Sequence, residues 1–406
     1  MITGALPVSF EAEVVRERTT MVFPGVVGFF FVFRACLIYL FFQGDPLLGT
    51  KVSIAISVGL LFGAILYTVD NGFTRRGRIP FTSPLRWMVV LFAFSAASLC
   101  WTGAQSLVAA IGYWIAMAID VVIVLLLLRN RDAVACTEAI LKGAVWGAVA
   151  LAAVAWFSPV TEDLRLGNDE FLHPNTLGME LGLATLMAQY LIARGALWKW
   201  LSILLAITML RTLSKTAIVA FVVAECWYLM QSRTLTRRAK VQLSAAALLV
   251  VASFWGLLNT YFATYNNTGS GNQLETLTGR TILWTVAFSM SMETPWFGHG
   301  IYSFKSLIPP MGPFAAVHAH NELLQQFFEF GLVGVVIVVA IYFSCLRQAW
   351  RAPANELRTL VLALLIFALF RGLADTVPIG LSYHLWLMAA LSVCLARTQS
   401  TEVGVQ

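Results

Sequence analysis

The chain has 406 residues, 59% of them hydrophobic and only 12% charged, with a mean hydropathy of +0.78 and a formal net charge of +6. That much apolar surface exceeds what a water-soluble fold can hide, so the two or three soluble domains that the length alone would allow are excluded. The basic residues are scattered over short loops between apolar runs, which argues against a nucleic-acid partner and for a polytopic helical membrane protein among membrane lipids.

In chain order, Glu11, Glu13, Arg16, Glu17 and Arg18 precede a first apolar run too long for a cleavable signal, so a retained anchor helix is predicted there. Runs long enough to cross about 30 Å of hydrocarbon then recur to the end of the chain. They predict roughly twelve spans, at 21–43, 52–69, 87–103, 107–128, 133–157, 174–193, 199–211, 214–231, 241–262, 321–346, 357–374 and 378–396. The short pair 199–211 and 214–231 also reads as a re-entrant hairpin, which would lower the count to eleven or ten. Cys36, Cys100, Cys136, Cys226, Cys345 and Cys394 all lie inside apolar runs with no partner at metal-ligand spacing, so packing roles are expected of them. With a cytoplasmic N-terminus, eighteen Lys and Arg residues fall in inner loops and seven in outer ones, which predicts both termini inside. The whole of 1–406 is thus one integral membrane domain. Its large outer loop, 259–319, lies between the ninth and tenth spans, and 158–175 forms a second sizeable outer loop.

Cations on the outer side break the topological trend, so each raises a functional question. Arg211 and Lys215 flank Thr212-Leu213-Ser214 at an outer turn, where contact with an anionic substrate is expected. Arg280 opens an amphipathic helical segment in which Thr281, Thr285 and Ser289 repeat every fourth residue while Ile282, Leu283, Val286 and Met290 face elsewhere. Its guanidinium can fork onto diphosphate oxygens, or else snorkel to lipid head groups. Arg371 is a further substrate-binding candidate, with pairing to Asp375 as the plain alternative, and His173 closes the smaller loop as a possible neighbour of the site.

The string His318-Ala319-His320-Asn321-Glu322 opens the tenth span. The positive end of a helix dipole disfavours imidazolium and keeps His320 neutral, as a general base requires, and it favours a bound phosphate. Asn321 is a substrate-binding candidate or simply the helix cap, and His318 is a supporting residue. The H-x-H spacing lacks a matching second ligand cluster, so no metal and no cofactor are expected.

Taken together, these elements resemble the O-antigen ligase and polysaccharide polymerase superfamily. The resemblance rests on G-R-T-I-L-W at 279–284, P-W-F-G-H-G at 295–300, A-H-N-E-L-L at 319–324 and E-F-G-L-V-G at 329–334. F-L-H-P-N-T-L-G at 171–178 and L-S-K-T-A at 213–217 add to it, and the specific part covers roughly 210–334. It implies an all-α transmembrane bundle of GT-C type and an inverting, metal-independent transferase of the bacterial inner membrane. Such an enzyme moves a glycan from undecaprenyl diphosphate to an acceptor on the periplasmic face. It further implies His320 as the essential histidine and Arg280 as the loop arginine. The family's second cation usually follows the serine as Ser-Arg. Here it is Ser214-Lys215, which keeps the charge, loses the bidentate geometry and looks more like the exopolysaccharide-polymerase branch.

The chemistry suits these residues on its own terms. Charge developing on the departing diphosphate must be met by fixed cations, here Arg280, Lys215 and Arg211, and the acceptor hydroxyl needs a base such as His320. Three functions remain open at this point: a ligase acting on a lipid A–core sugar, a polymerase extending the growing glycan, and a transporter of lipid-linked sugar. Charges gathered at one face, with no internal repeat, favour an enzyme over the transporter.

Overall fold

The structure, a computed structural model, describes residues 21–41, 46–70, 78–129, 132–160, 165–167, 172–231, 277–310, 316–377 and 381–403, with scattered residues between 236 and 249. Helices carry the fold throughout these residues. They are α1 (Val22–Phe41), α2 (Pro46–Asp70), α3 (Ser83–Ser98), α4 (Leu107–Leu127), α5 (Ala133–Phe157), α6 (Pro174–Leu191), α7 (Ala196–Arg211), α8 (Lys215–Gln231), α9 (Leu277–Ser291), α10 (Glu322–Arg351), α11 (Glu356–Gly372) and α12 (Leu385–Val403). The expected ninth span, 241–262, lies outside the described residues, as does the first part of the large loop.

Among the described residues, five helical stretches are long and apolar enough to cross a membrane: Lys51–Val69, Leu107–Leu127, Ala133–Phe157, Pro174–Arg194 and Glu322–Arg351. Shorter apolar helices run over Val22–Arg34, Ser83–Ser98 and Leu385–Gln399. The protein is therefore a helical membrane protein. Side-chain caps start several of its helices: Ser106 accepts from Ala109 N, Asp132 from Ala135 N and Asn355 from Arg358 N. Helices α1 and α5 pack with their backbones in contact, since a Cβ on Gly143 would meet the Gly25 carbonyl oxygen at 1.8 Å. Two cations within the helices, Arg34 and Lys142, are paired. Arg34 on α1 forks onto Asp120 of α4 and donates to Ser57 of α2 at 2.9 Å, and Lys142 lies 3.7 Å from Glu138.

The tenth predicted span departs most from expectation. Helix α10 breaks at Gly331, where φ is 64° and ψ −163°. Apolar spacing runs across this point, so nothing periodic marks it. The string at 295–300 holds the break through backbone bonds. His299 N donates to Phe328 O at 2.9 Å, Gly300 N to Glu329 O at 2.7 Å, and Leu332 N to Pro295 O at 2.8 Å. A Cβ on Gly331 would lie 2.4 Å from the Trp296 carbonyl carbon, and one on Gly298 would lie 2.5 Å from Glu329. Only glycine combines a left-handed φ with so close an approach. The turn of Phe304–Leu307 and the end of α3 complete this block, where Gly103 N donates to His299 O at 2.8 Å.

Before the break, α10 buries Glu322, Gln325, Gln326 and Glu329; after it, 332–346 is apolar but for Ser344, and Arg347, Gln348 and Arg351 follow. Glu322–Arg351 as a whole is long enough to cross a bilayer, with its buried polar side chains before the break.

Candidate functional site

One end of the bundle gathers the starts of α6, α8, α9 and α10, the ends of α7 and α11, and the return residues 373–377 and 381–384. Each predicted residue sits there because a helix terminus holds it. His320 precedes α10 with φ 51°, in the left-handed region where a side chain costs about 1–2 kcal/mol. Its neighbours hold it there. Ala319 N donates to Gln325 Oε1 at 2.7 Å, Ala319 O accepts from Trp284 Nε1 at 2.8 Å, and His320 N donates to His318 Nδ1 at 3.3 Å. A strained backbone on a histidine, held by one bond of its own and two at the preceding residue, is a recurrent mark of function.

The next two residues grip the return segment. Asn321 Nδ2 donates to Leu373 O at 2.9 Å, while its Oδ1 accepts from Leu324 N at 3.0 Å and so caps α10. Both polar ends of Asn321 are therefore structural, and the plain reading as a cap describes it. Glu322, buried, accepts from Ser382 N at 2.9 Å and from the Tyr342 hydroxyl at 3.0 Å. Between these anchors stands Asp375, whose Oδ1 lies 3.0 Å from His320 Nδ1. Oδ1 also accepts from Thr376 N at 3.0 Å, and Oδ2 pairs with Arg371 Nη2 at 3.1 Å.

Burial alone would raise the Asp375 carboxyl. The Arg371 guanidinium and the bond to His320 outweigh it and hold the group well below the usual carboxylate range. An ionised carboxylate accepts only, so Nδ1 of His320 carries the hydrogen of this bond. His318 stacks beside it with ring centroids 4.1 Å apart. Burial, then the neighbouring His320 charge, pushes His318 down to about 3.

Arg371 is wholly buried, so it acts on the site through Asp375. Arg280 Nη1 donates to Ala374 O at 2.6 Å, one residue from the carboxylate that holds His320. Lys215, exposed at the first position of α8, is close enough to Arg165 and Arg280 for the three charges to interact. Half-buried Arg211 ends α7 on the same turn, where a cation complements the helix dipole. Gly178 of α6 lets that turn approach: a Cβ there would sit 3.0 Å from Ser214 and Ala217. His173 caps α6, accepting from Asn175 N at 3.2 Å, and its charge reaches His318.

Two residues escaped the sequence reading as site components. Asp375 stood only as a partner for Arg371; its signal was an acid at an outer turn, four residues after an arginine. Arg165 was counted as an outer cation without a role. It donates to Thr212 O at 3.1 Å and Asn175 Oδ1 at 2.7 Å, tying the small outer loop to the Lys215 turn.

His318, His320 and Asp375 bring one ligand atom each to within 4.8 Å, a possible metal set. The chemistry of the set fits a cation poorly. Both Asp375 oxygens already accept hydrogen bonds, one from a buried guanidinium whose charge opposes a second cation there.

Residues 200–339 match the family model described as O-antigen ligase. Over that stretch the chain is similar to O-antigen ligases. An O-antigen ligase of Pseudomonas aeruginosa is 27% identical over 123 residues, covering 27% of this chain and 30% of that relative's own length. The matched stretch carries Arg211, Lys215, Arg280, His318, His320 and Asn321, while Asp375 and Arg371 lie beyond it.

Proposed function

We propose that this O-antigen ligase-like protein is an inverting, metal-independent glycan transferase. Its donor is a saccharide on undecaprenyl diphosphate and its acceptor a sugar hydroxyl at the periplasmic face of the bacterial inner membrane. In this reading a bundle of roughly twelve spans has both termini in the cytoplasm. The observation that carries the proposal is the line Arg371–Asp375–His320, with Arg280 bonded to the residue next to Asp375. A base held in one tautomer and a cation sharing one turn are what displacement at a sugar–diphosphate bond requires.

The acceptor hydroxyl oxygen attacks the anomeric carbon and gives its proton to His320 Nε2. The bond from that carbon to the diphosphate oxygen breaks, and polyprenyl diphosphate departs with the electron pair. Arg280 and Lys215, with Arg211 behind them, meet the charge on the leaving group. Attack and departure on opposite faces invert the anomeric centre. Asp375 stabilises the imidazolium formed, and Arg371 keeps Asp375 ionised.

Purified protein in detergent, given labelled lipid-linked glycan and a saccharide acceptor, is expected to transfer the label at the same rate with and without a chelator. Failure to transfer overturns the enzymatic reading, and loss with chelator overturns the metal-free one. A polymerase reading with the same chemistry is favoured by one observation, Lys215 after Ser214 where the family usually has arginine. Glycan profiling of a deletion strain separates the two, since lost ligation leaves long chains on the carrier and lost polymerisation leaves single repeats.

A further inference from the structure

Beside the site, an open groove of about 670 Å³ runs along the exposed face of α9. Its head is Asn321, next to His320. Its floor alternates hydroxyls and rings: Thr281, Thr285 and Ser289 at four-residue spacing, with Trp284 and Phe288 between them. We propose that this groove holds the acceptor saccharide, rising from its membrane anchor to present a hydroxyl to His320. The inference rests on the transferase reading above and adds which substrate lies where.

Three observations point to a saccharide. The lining is amphipathic in the way a sugar ring is. Thr281, Thr285 and Ser289 are exposed, and Thr285 Oγ1 gives its hydrogen to Thr281 O at 2.8 Å, leaving its lone pairs to the groove. Phe288 is 54% exposed and Trp284 is anchored by its indole N–H on Ala319 O, so two aromatic rings are fixed for stacking against sugar C–H faces.

The second observation is position. Helix α9 lies beside the part of α10 before Gly331, with Phe288 and Phe327 ring centroids 5.9 Å apart. That part buries four polar side chains, whereas 332–346 is apolar but for Ser344, so α9 flanks the polar end of α10, toward the membrane surface. A prenyl tail would be exposed to water there, whereas a glycan would be solvated.

Direction is the third. From Trp284 beside Ala319, α9 proceeds to Phe288 beside Phe327 and then to Pro295, which bonds the helix break. The groove thus leads from the membrane boundary to the base, and the molecule that meets the base is the acceptor. The hydroxyl row from Thr281 to Ser289 covers ~12 Å of helix, room for a few sugar rings.

Thr285→Trp and Ser289→Trp fill the groove from exposed positions that bear no packing load. Acceptor and donor are varied separately in the transfer assay, with core oligosaccharide and a short chain of the donor's own repeat as the acceptor probes. The expected result is a rise of about tenfold or more in KM for whichever acceptor is used, with KM for the donor unchanged. An unchanged acceptor KM in both variants overturns the proposal, as does a rise in donor KM instead, which would assign the groove to the lipid carrier. Independently of turnover, His320→Ala protein is expected to bind one acceptor probe, and Ser289→Trp in that background to lose it. Binding of neither probe overturns the groove even if transfer occurs, whereas binding without transfer in the wild type overturns only the transferase reading.

Discussion

Two conspicuous strings of this chain do opposite work. At 320–322 the side chains matter: His320 takes Asp375, Asn321 takes Leu373 O, and Glu322 takes Ser382 N. At 295–300 and 329–334 the backbone matters: amides and carbonyls pair across a helix break, and glycines stand where no Cβ fits. Each string carries a histidine. His320 presents its free nitrogen to the cluster, whereas His299 spends Nε2 on the Met290 carbonyl at 3.0 Å and packs its ring on Phe328. A memorable motif is therefore no guide to chemistry until its polar atoms have been followed to their partners.

The largest test of this contrast exchanges the two histidines. His320→Ala is expected to lower the transfer rate by about a thousandfold while the protein inserts and folds, and His299→Gln to leave kcat within about twofold. A normal rate in His320→Ala, or a dead His299→Gln enzyme that is still folded, would break the comparison. Next in size is Gly331→Ala. The left-handed backbone costs an alanine about 1–2 kcal/mol and the clash with Trp296 adds about 1–3, enough to deplete folded protein in a thermal-melt assay. An unchanged melting temperature would mean the break is not held as described.

Asp375→Asn keeps the shape of the carboxylate and removes its charge. It is expected to lower kcat roughly a hundredfold with little change in acceptor KM, because the imidazolium loses its counter-charge. Loss of acceptor binding alone would recast Asp375 as a substrate contact.

The smallest effect is one of pH. Folding depresses both Asp375 and His318, so the unfolded chain binds more protons in acid. The His318 contribution is full above its ordinary 6.5 and is lost as pH falls toward about 3. That of Asp375 is full above its ordinary 3.8 and is lost only below it. The melting temperature should fall on acidification from pH 7 to 4, and His318→Gln should flatten that slope. A slope identical to wild type would exclude His318 as its source.

Much of this was legible in the chain. Helical membrane class followed from apolar runs, and the family resemblance from strings at 279–334, now matched over 200–339. The break at Gly331 was hidden because hydrophobic spacing continues through it. Asp375 was hidden for another reason: it meets His320 across 55 residues, and no linear spacing encodes that meeting. Arg371 invited a substrate role by its position, and the structure adds its burial and its ion pair with Asp375.

The grip of Asn321 on Leu373 and of Glu322 on Ser382 has a dynamic corollary. His320 and Asp375 stand on two segments that these anchors join, so loosening either anchor parts the imidazole from the carboxylate. Warming the protein should then switch catalysis off in a single sharp step before the membrane helices come apart.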